Sequence, residues 1–186
     1  MRKATTKGDK RPFGKRNVGV VKPTNVETNE ATIVEDFAVS YQTNNFQTAW
    51  AILGGKNFMA RQPASALDFL SASIKGIPKL AVENLAAILK IPMKDMASLL
   101  NLSYKTLARK QKTDVLNNIV SSLSIEIANV VAKGLSVFED EDRFNRWLHK
   151  QNKALRGQRP FDLLNTPTGI TLVSQVIGRI EEGVYS

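Results

Sequence analysis

At 186 residues, 42% hydrophobic and without a cysteine, the chain has the make-up of a folded protein of one domain or two small ones. That composition excludes a disulfide scaffold, a thiolate metal site and a cysteine nucleophile, and it fits a reducing cytoplasm. The formal net charge is +9, and its placement matters more than its size. Arg2, Lys3, Lys7, Lys10, Arg11, Lys15, Arg16 and Lys22 face Asp9 alone in the first stretch. Lys90, Lys94, Lys105, Arg109, Lys110 and Lys112 face Asp95 alone in a second, and the chain beyond is close to neutral. Clustered cations suit a polyanion, because neutralising phosphates releases counterions; the first run also fits a solvated tail.

In chain order, residues 1–30 mix charged, Gly, Pro and Asn residues with no apolar period and read as a disordered basic tail. Residues 31–62 read as an N-terminal helical extension. Its apolar positions Ile33, Val34, Phe37, Tyr41, Phe46, Trp50 and Ile52 suggest two short helices parted near Gln42–Asn45 and ended by Gly54-Gly55. Residues 63–135 follow as a second unit. A helix with Pro63, Leu67, Phe69, Leu70 and Ile74 on its apolar side closes at Gly76. Pro78 opens another, with Leu80, Val82, Leu85, Ala86 and Leu89 along one face. Pro92 starts a third, to about Leu100, and Ser103 can cap a fourth, to about Lys112. From Leu116 to Phe138 the spacing predicts a helix broken around Ser121-Ser122 or Ser124, with Gly134 weakening it further.

Residues 136–186 form the last unit. Its acidic run, Glu139 to Asp142, suits a helix start. Phe144, Trp147 and Leu148 give that helix a buried face. Thr166 caps a final helix with Pro167 in its first position and Ile170, Val173, Ile177 and Ile180 on one side. No alternating run of convincing length occurs, so the expected fold is all-α. No apolar run of the roughly 20 residues of a membrane span is present.

Residues 82–112 have the layout of a helix-turn-helix, its first helix at about Met93–Leu100 and its second at about Ser103–Lys112: small Ala97 where the two cross, Leu102 in the turn, Leu107 inside the second helix. Ser103, Tyr104, Lys105, Thr106, Arg109, Lys110 and Lys112 would then face double-stranded DNA, the first ones near bases and the cations on phosphates. The spacing alone fits an ordinary helical hairpin with a basic solvent face as well. Enzyme chemistry finds no foothold: the one histidine, His149, sits beside Lys150, Gly54-Gly55-Lys56 lacks the rest of a phosphate loop, and the acidic run is a commoner helix start than metal site. Neither catalytic residue, metal nor cofactor is expected.

Two sets of residues add a resemblance. Leu102-Ser103-Tyr104-Lys105-Thr106-Leu107-Ala108-Arg109 resembles the recognition helix of Xre-type regulators. Phe138-Glu139-Asp140, Trp147-Leu148, the run Ala154 to Leu164, Thr166, Gly169 and Gly178 to Gly183 resemble the toxin-binding domain of the Xre-type antitoxins that pair with RES-domain toxins. The likeness runs from about Leu67 to Ser186. It implies a type II antitoxin that binds and inhibits an NAD-degrading RES-domain toxin by occluding its active site and represses its own operon. It implies a toxin-facing set of Pro160, Phe161, Arg179, Glu182, Gly183, Val184, Tyr185 and Ser186, and a homodimer within a larger toxin–antitoxin complex. A stand-alone helix-turn-helix regulator whose C-terminal domain only dimerises is the other reading. The stretch Leu116 to Ser122 lacks the family's arginine and acid pairs, and the long basic N-terminal extension is outside its pattern.

Overall fold

The computed structural model describes residues 45–184, and these build an architecture of helices with no strand among them. Residues 45–52 form α1; Ala66–Lys75, Lys79–Ile88, Met93–Leu99 and Tyr104–Arg109 form α2 to α5. Asn118–Phe138 form α6, Glu141–His149 α7, Pro160–Leu163 α8 and Pro167–Glu181 α9. The basic tail at residues 1–30 and the first of the two expected N-terminal helices lie outside the described residues.

The long helix α6 organises everything else. It packs α2 along one flank and α9 along another, while α7 crosses its C-terminal end. Val120, Leu123, Ile125, Ile127, Ala128, Val130 and Val131 are all buried, so the helix is apolar on most of its circumference. By length and composition it could cross a membrane, but more than half of it is buried against its neighbours, as befits a core helix.

The break expected at the serines of α6 is absent: the helix runs unbroken for 21 residues. The reason is local. Ser121 Oγ lies 2.7 Å from the Asn117 carbonyl and Ser124 Oγ donates to the Val120 carbonyl at 2.8 Å. Each hydroxyl thus finds its partner one turn back on the same helix, where it need not compete with the helix's own N–H groups. Ser121 Oγ also accepts the Ile77 N–H at 3.0 Å, tying the start of α3 to α6. Asn117 caps the helix start by accepting from the Val120 N–H.

A second correction concerns α5. It ends at Arg109, about a turn before the expected Lys112. The chain leaves the helix because its carbonyls are needed elsewhere. Leu80 N–H donates to the Lys112 carbonyl at 2.9 Å and Lys79 N–H to that of Asp114 at 3.0 Å, which satisfies the free donors at the start of α3. The third difference lies in α2. Phe69 and Ser73 face inward, whereas Leu67, Leu70 and Ile74, expected to be inside, are 70%, 54% and 68% exposed. Leu80 is half-buried on α3, where Val82, Leu85, Ala86 and Leu89 are buried as expected.

Candidate DNA-binding and partner-binding surfaces

The segment from α4 to α5 has the geometry of a helix-turn-helix. Ala97 is buried at the crossing, and its carbonyl accepts the Leu102 N–H at 2.8 Å. Asn101 takes the left-handed conformation that turns the chain, with φ of 54°. Leu107 is fully buried and holds α5 to the rest of the unit. Ser103 caps α5: its Oγ accepts the Thr106 N–H at 3.0 Å and lies 2.7 Å from Thr106 Oγ1. With the two hydroxyls engaged with each other, Ser103 and Thr106 hold the helix start in place, and Tyr104, Lys105 and Arg109 remain exposed.

The candidate DNA residues therefore divide in two. Ser103, Tyr104, Lys105, Thr106 and Arg109 share the exposed surface of α5 and its cap. Lys110 is half-buried, its Nζ donating to the Val115 carbonyl at 3.1 Å. Lys112 is exposed but beyond the helix, in the turn that Asp114 fixes by accepting the Gln111 N–H at 2.8 Å.

The C-terminal unit rests on Phe144 and Leu148, both fully buried, joined by Leu155, Leu164, Ile170, Val173 and Ile177. Asp140 caps α7 by accepting the Arg143 N–H, and Thr166 Oγ1 caps α9 by accepting the Gly169 N–H at 3.1 Å. The acidic run thus serves as a helix start. Its next two members, Glu141 and Asp142, meet Lys90 at the end of α3. The hydrogen bond from Lys90 holds the Asp142 carboxyl below its ordinary range and raises the lysine in turn. Asn145, buried, donates to the carbonyls of Ile88 and Glu141, each at 3.0 Å, and Asn101 donates to the Asn165 carbonyl at 2.9 Å. Helix-turn-helix and C-terminal unit are thus bound to each other through the C-terminal ends of α3 and α4.

The last helix ends in a turn with two closing bonds. Gly183 N–H donates to the Ile180 carbonyl at 3.1 Å and Val184 N–H to that of Arg179 at 2.9 Å. This six-residue closure needs a left-handed residue, and Gly183 supplies it with φ of 72°. Arg179, Glu182, Gly183 and Val184 are exposed; Tyr185 and Ser186 lie outside the described residues. Pro160 is buried as the first residue of α8, and half-buried Phe161 lays its ring 4.6 Å from that of exposed His149. The structure thus collects four of the eight toxin-facing candidates at the end of α9 and puts Pro160 into the packing. Sequence reasoning missed Arg143 and treated Trp147 as a core residue only. The two stand one turn apart on α7 and, with Arg179, Ile180 and Val184, line a cavity of about 340 Å³. Their i, i+4 spacing was the available signal.

Comparison with known proteins agrees with this arrangement. Residues 68–129 match the antitoxin Xre-like helix-turn-helix domain, and residues 133–183 match the antitoxin Xre/MbcA/ParS C-terminal toxin-binding domain. The Prs ADP-ribosylating antitoxin of Sphingobium sp. (strain YBL2) is 27% identical over 139 residues, spanning 69% of this chain and 87% of that protein. The two domain matches follow one another in the order of the folded units and together take in more than half of the chain, which therefore belongs to the Xre-type antitoxins.

Proposed function

We propose that this antitoxin neutralises a RES-domain toxin that degrades NAD by laying its C-terminal end, from Arg179 through Ser186, into the toxin's active site, and that it represses its own operon through α5. The observation that carries the first half is the closing turn of α9, which leaves Val184 as an exposed branched residue beside exposed Arg179 and Gly183. Tyr185 and Ser186 follow it in sequence, and a tyrosine offers a large contact area with a hydrogen-bonding tip at low rotamer cost. The name of the Sphingobium relative ties that protein to ADP-ribosylation, a reaction that also consumes NAD, and this supports NAD as the toxin's substrate. The working species is a homodimer in the cytoplasm within a larger toxin–antitoxin complex, because paired helix-turn-helix units read paired half-sites. The functional division falls at residues 63–135 for DNA and 136–186 for toxin.

Co-expression with the adjacent reading frame tests the proposal, scored by growth and by NAD content. Deleting residues 184–186 is expected to abolish growth rescue while operator affinity stays within roughly twofold, since the deletion is remote in sequence from α5 and its cap. Full rescue by the truncated chain would exclude tail occlusion. For the DNA half, Arg109→Ala is expected to weaken operator binding and to lower the slope of log K against log salt by about 1, as loss of one phosphate contact should. An unchanged slope removes Arg109 from the phosphate contacts.

A further inference from the structure

The cavity of about 340 Å³ between the end of α6, α7 and the end of α9 combines an apolar floor with a cationic rim. Phe138 and Trp147 form part of its wall, their rings 5.3 Å apart, and Ile180 lies on the α9 side. Arg143 and Arg179 line it from α7 and α9; both are exposed, and neither has an ion-pair partner among the described residues. The three acids just before Arg143 in sequence are already committed, Asp140 to the cap of α7 and Glu141 and Asp142 to Lys90. Two unpaired guanidinium groups beside an aromatic pocket suit a ligand with an apolar body and a carboxylate, since a guanidinium meets a carboxylate through two parallel hydrogen bonds. The volume lies within the range of clefts that bury a whole ligand group.

We infer that this cavity receives a segment of the toxin: an aromatic or large aliphatic side chain seated against Phe138 and Trp147, with a neighbouring Asp or Glu held by Arg143 and Arg179. The inference rests on the toxin-binding reading above and deepens it. The antitoxin's tail enters the toxin, and beside it the toxin enters the antitoxin. Arg179 and Val184 belong to both features, as they line the cavity and lie within the segment assigned to the toxin's active site. The two insertions therefore share one edge.

The test uses the full chain and the toxin encoded by the adjacent reading frame, with affinity measured by titration at two salt concentrations. Arg143→Glu and Arg179→Glu are each expected to weaken the complex by about tenfold or more, because reversal leaves the toxin's carboxylate facing like charge. Ala154→Leu, which narrows the cavity without altering charge, is expected to weaken it similarly but with unchanged salt dependence. Lys150→Glu, on α7's C-cap and outside the cavity, serves as the charge control and should stay within about threefold. Operator affinity and thermal midpoint, measured on every variant, should match the wild type. If the wild-type chain binds and all variants bind as tightly, the cavity is not a receptor, while tail occlusion stands. If the wild-type chain fails to bind the toxin at all, the toxin-binding reading itself falls. Weakening by Lys150→Glu as large as that by Arg143→Glu would reduce the effect to general charge and overturn the pocket.

Discussion

Gly134→Ala is expected to destabilise this protein by about 3 kcal/mol, the upper end of what overpacking a core costs. From sequence alone the opposite result is expected. Gly134 sits in the interior of a long helix, where glycine is worse than alanine by roughly 1 kcal/mol. Packing reverses the sign. A methyl group at this position would lie 2.1 Å from Phe144 Cε2 and 2.6 Å from two further atoms of the same ring. Phe144 has no room to retreat, being fully buried with its ring 5.8 Å from that of Phe138 and 6.1 Å from that of Trp147. Glycine is therefore what lets α7 approach α6 closely enough to seat its largest side chain. Thermal unfolding checks it: for a chain of this size the midpoint should fall by roughly 6–12 °C. A midpoint equal to or above the wild type would mean that the α6–α7 crossing relaxes at no cost. Toxin binding should fall with the midpoint in this variant, because α7 supplies Arg143 and Trp147.

Gly134 also illustrates how the sequence misleads. Its reading as a weak point of the helix used only the local term, and the local term is the smaller one. Ser121 and Ser124 misled in the same manner: counted as breakers, they are satisfied by carbonyls one turn back, and Ser121 serves a neighbour too. What was legible was whatever a residue does within its own turn. Thr166 before Pro167, the acidic run at the start of α7 and Ser103 before α5 all act within a few residues of themselves, and the structure has each of them at the helix start expected of it. The helix-turn-helix was legible for the same reason, because Ala97, Leu102 and Leu107 define it over a short span. Partnerships across the fold were not. Nothing near Lys112 in sequence announces that its carbonyl will meet the Leu80 N–H, and α5 therefore ends earlier than its own residues suggest. Leu67, Leu70 and Ile74 form a helical stripe that any period count assigns to the core, and α6 nonetheless takes the other side of α2. The cavity by Arg179 is the extreme case, lined by residues from Val137 to Val184 that lie far apart in sequence.

Asn145→Asp is the most damaging conservative change available in the link between the two units. The side chain is buried, and its amide nitrogen donates to two carbonyl oxygens, those of Ile88 and Glu141, each at 3.0 Å. An aspartate of the same shape puts an acceptor, and a charge, where both partners are also acceptors. An uncompensated buried charge costs about 3–5 kcal/mol, so the midpoint at neutral pH should fall on the order of 10 °C. The sign of the pH dependence is diagnostic. Burial and facing carbonyls raise the carboxyl's folded pKa above its unfolded value near 4. The folded state then binds the proton more tightly, so the deficit relative to wild type is full above the folded pKa and shrinks as pH falls through it, the protonated acid donating one of the lost bonds. The wild-type chain has no such group here, and Asn145→Leu, which removes the donors without adding charge, should show a smaller deficit that does not vary with pH. Because Ile88 closes α3 and Glu141 opens α7, the damage should reach function at a distance. Operator binding and toxin binding are each expected to survive in Asn145→Leu, with weaker mutual influence between the two ligands. A deficit in Asn145→Asp that is identical at pH 7 and pH 5 would place the side chain in contact with water and remove it from the link.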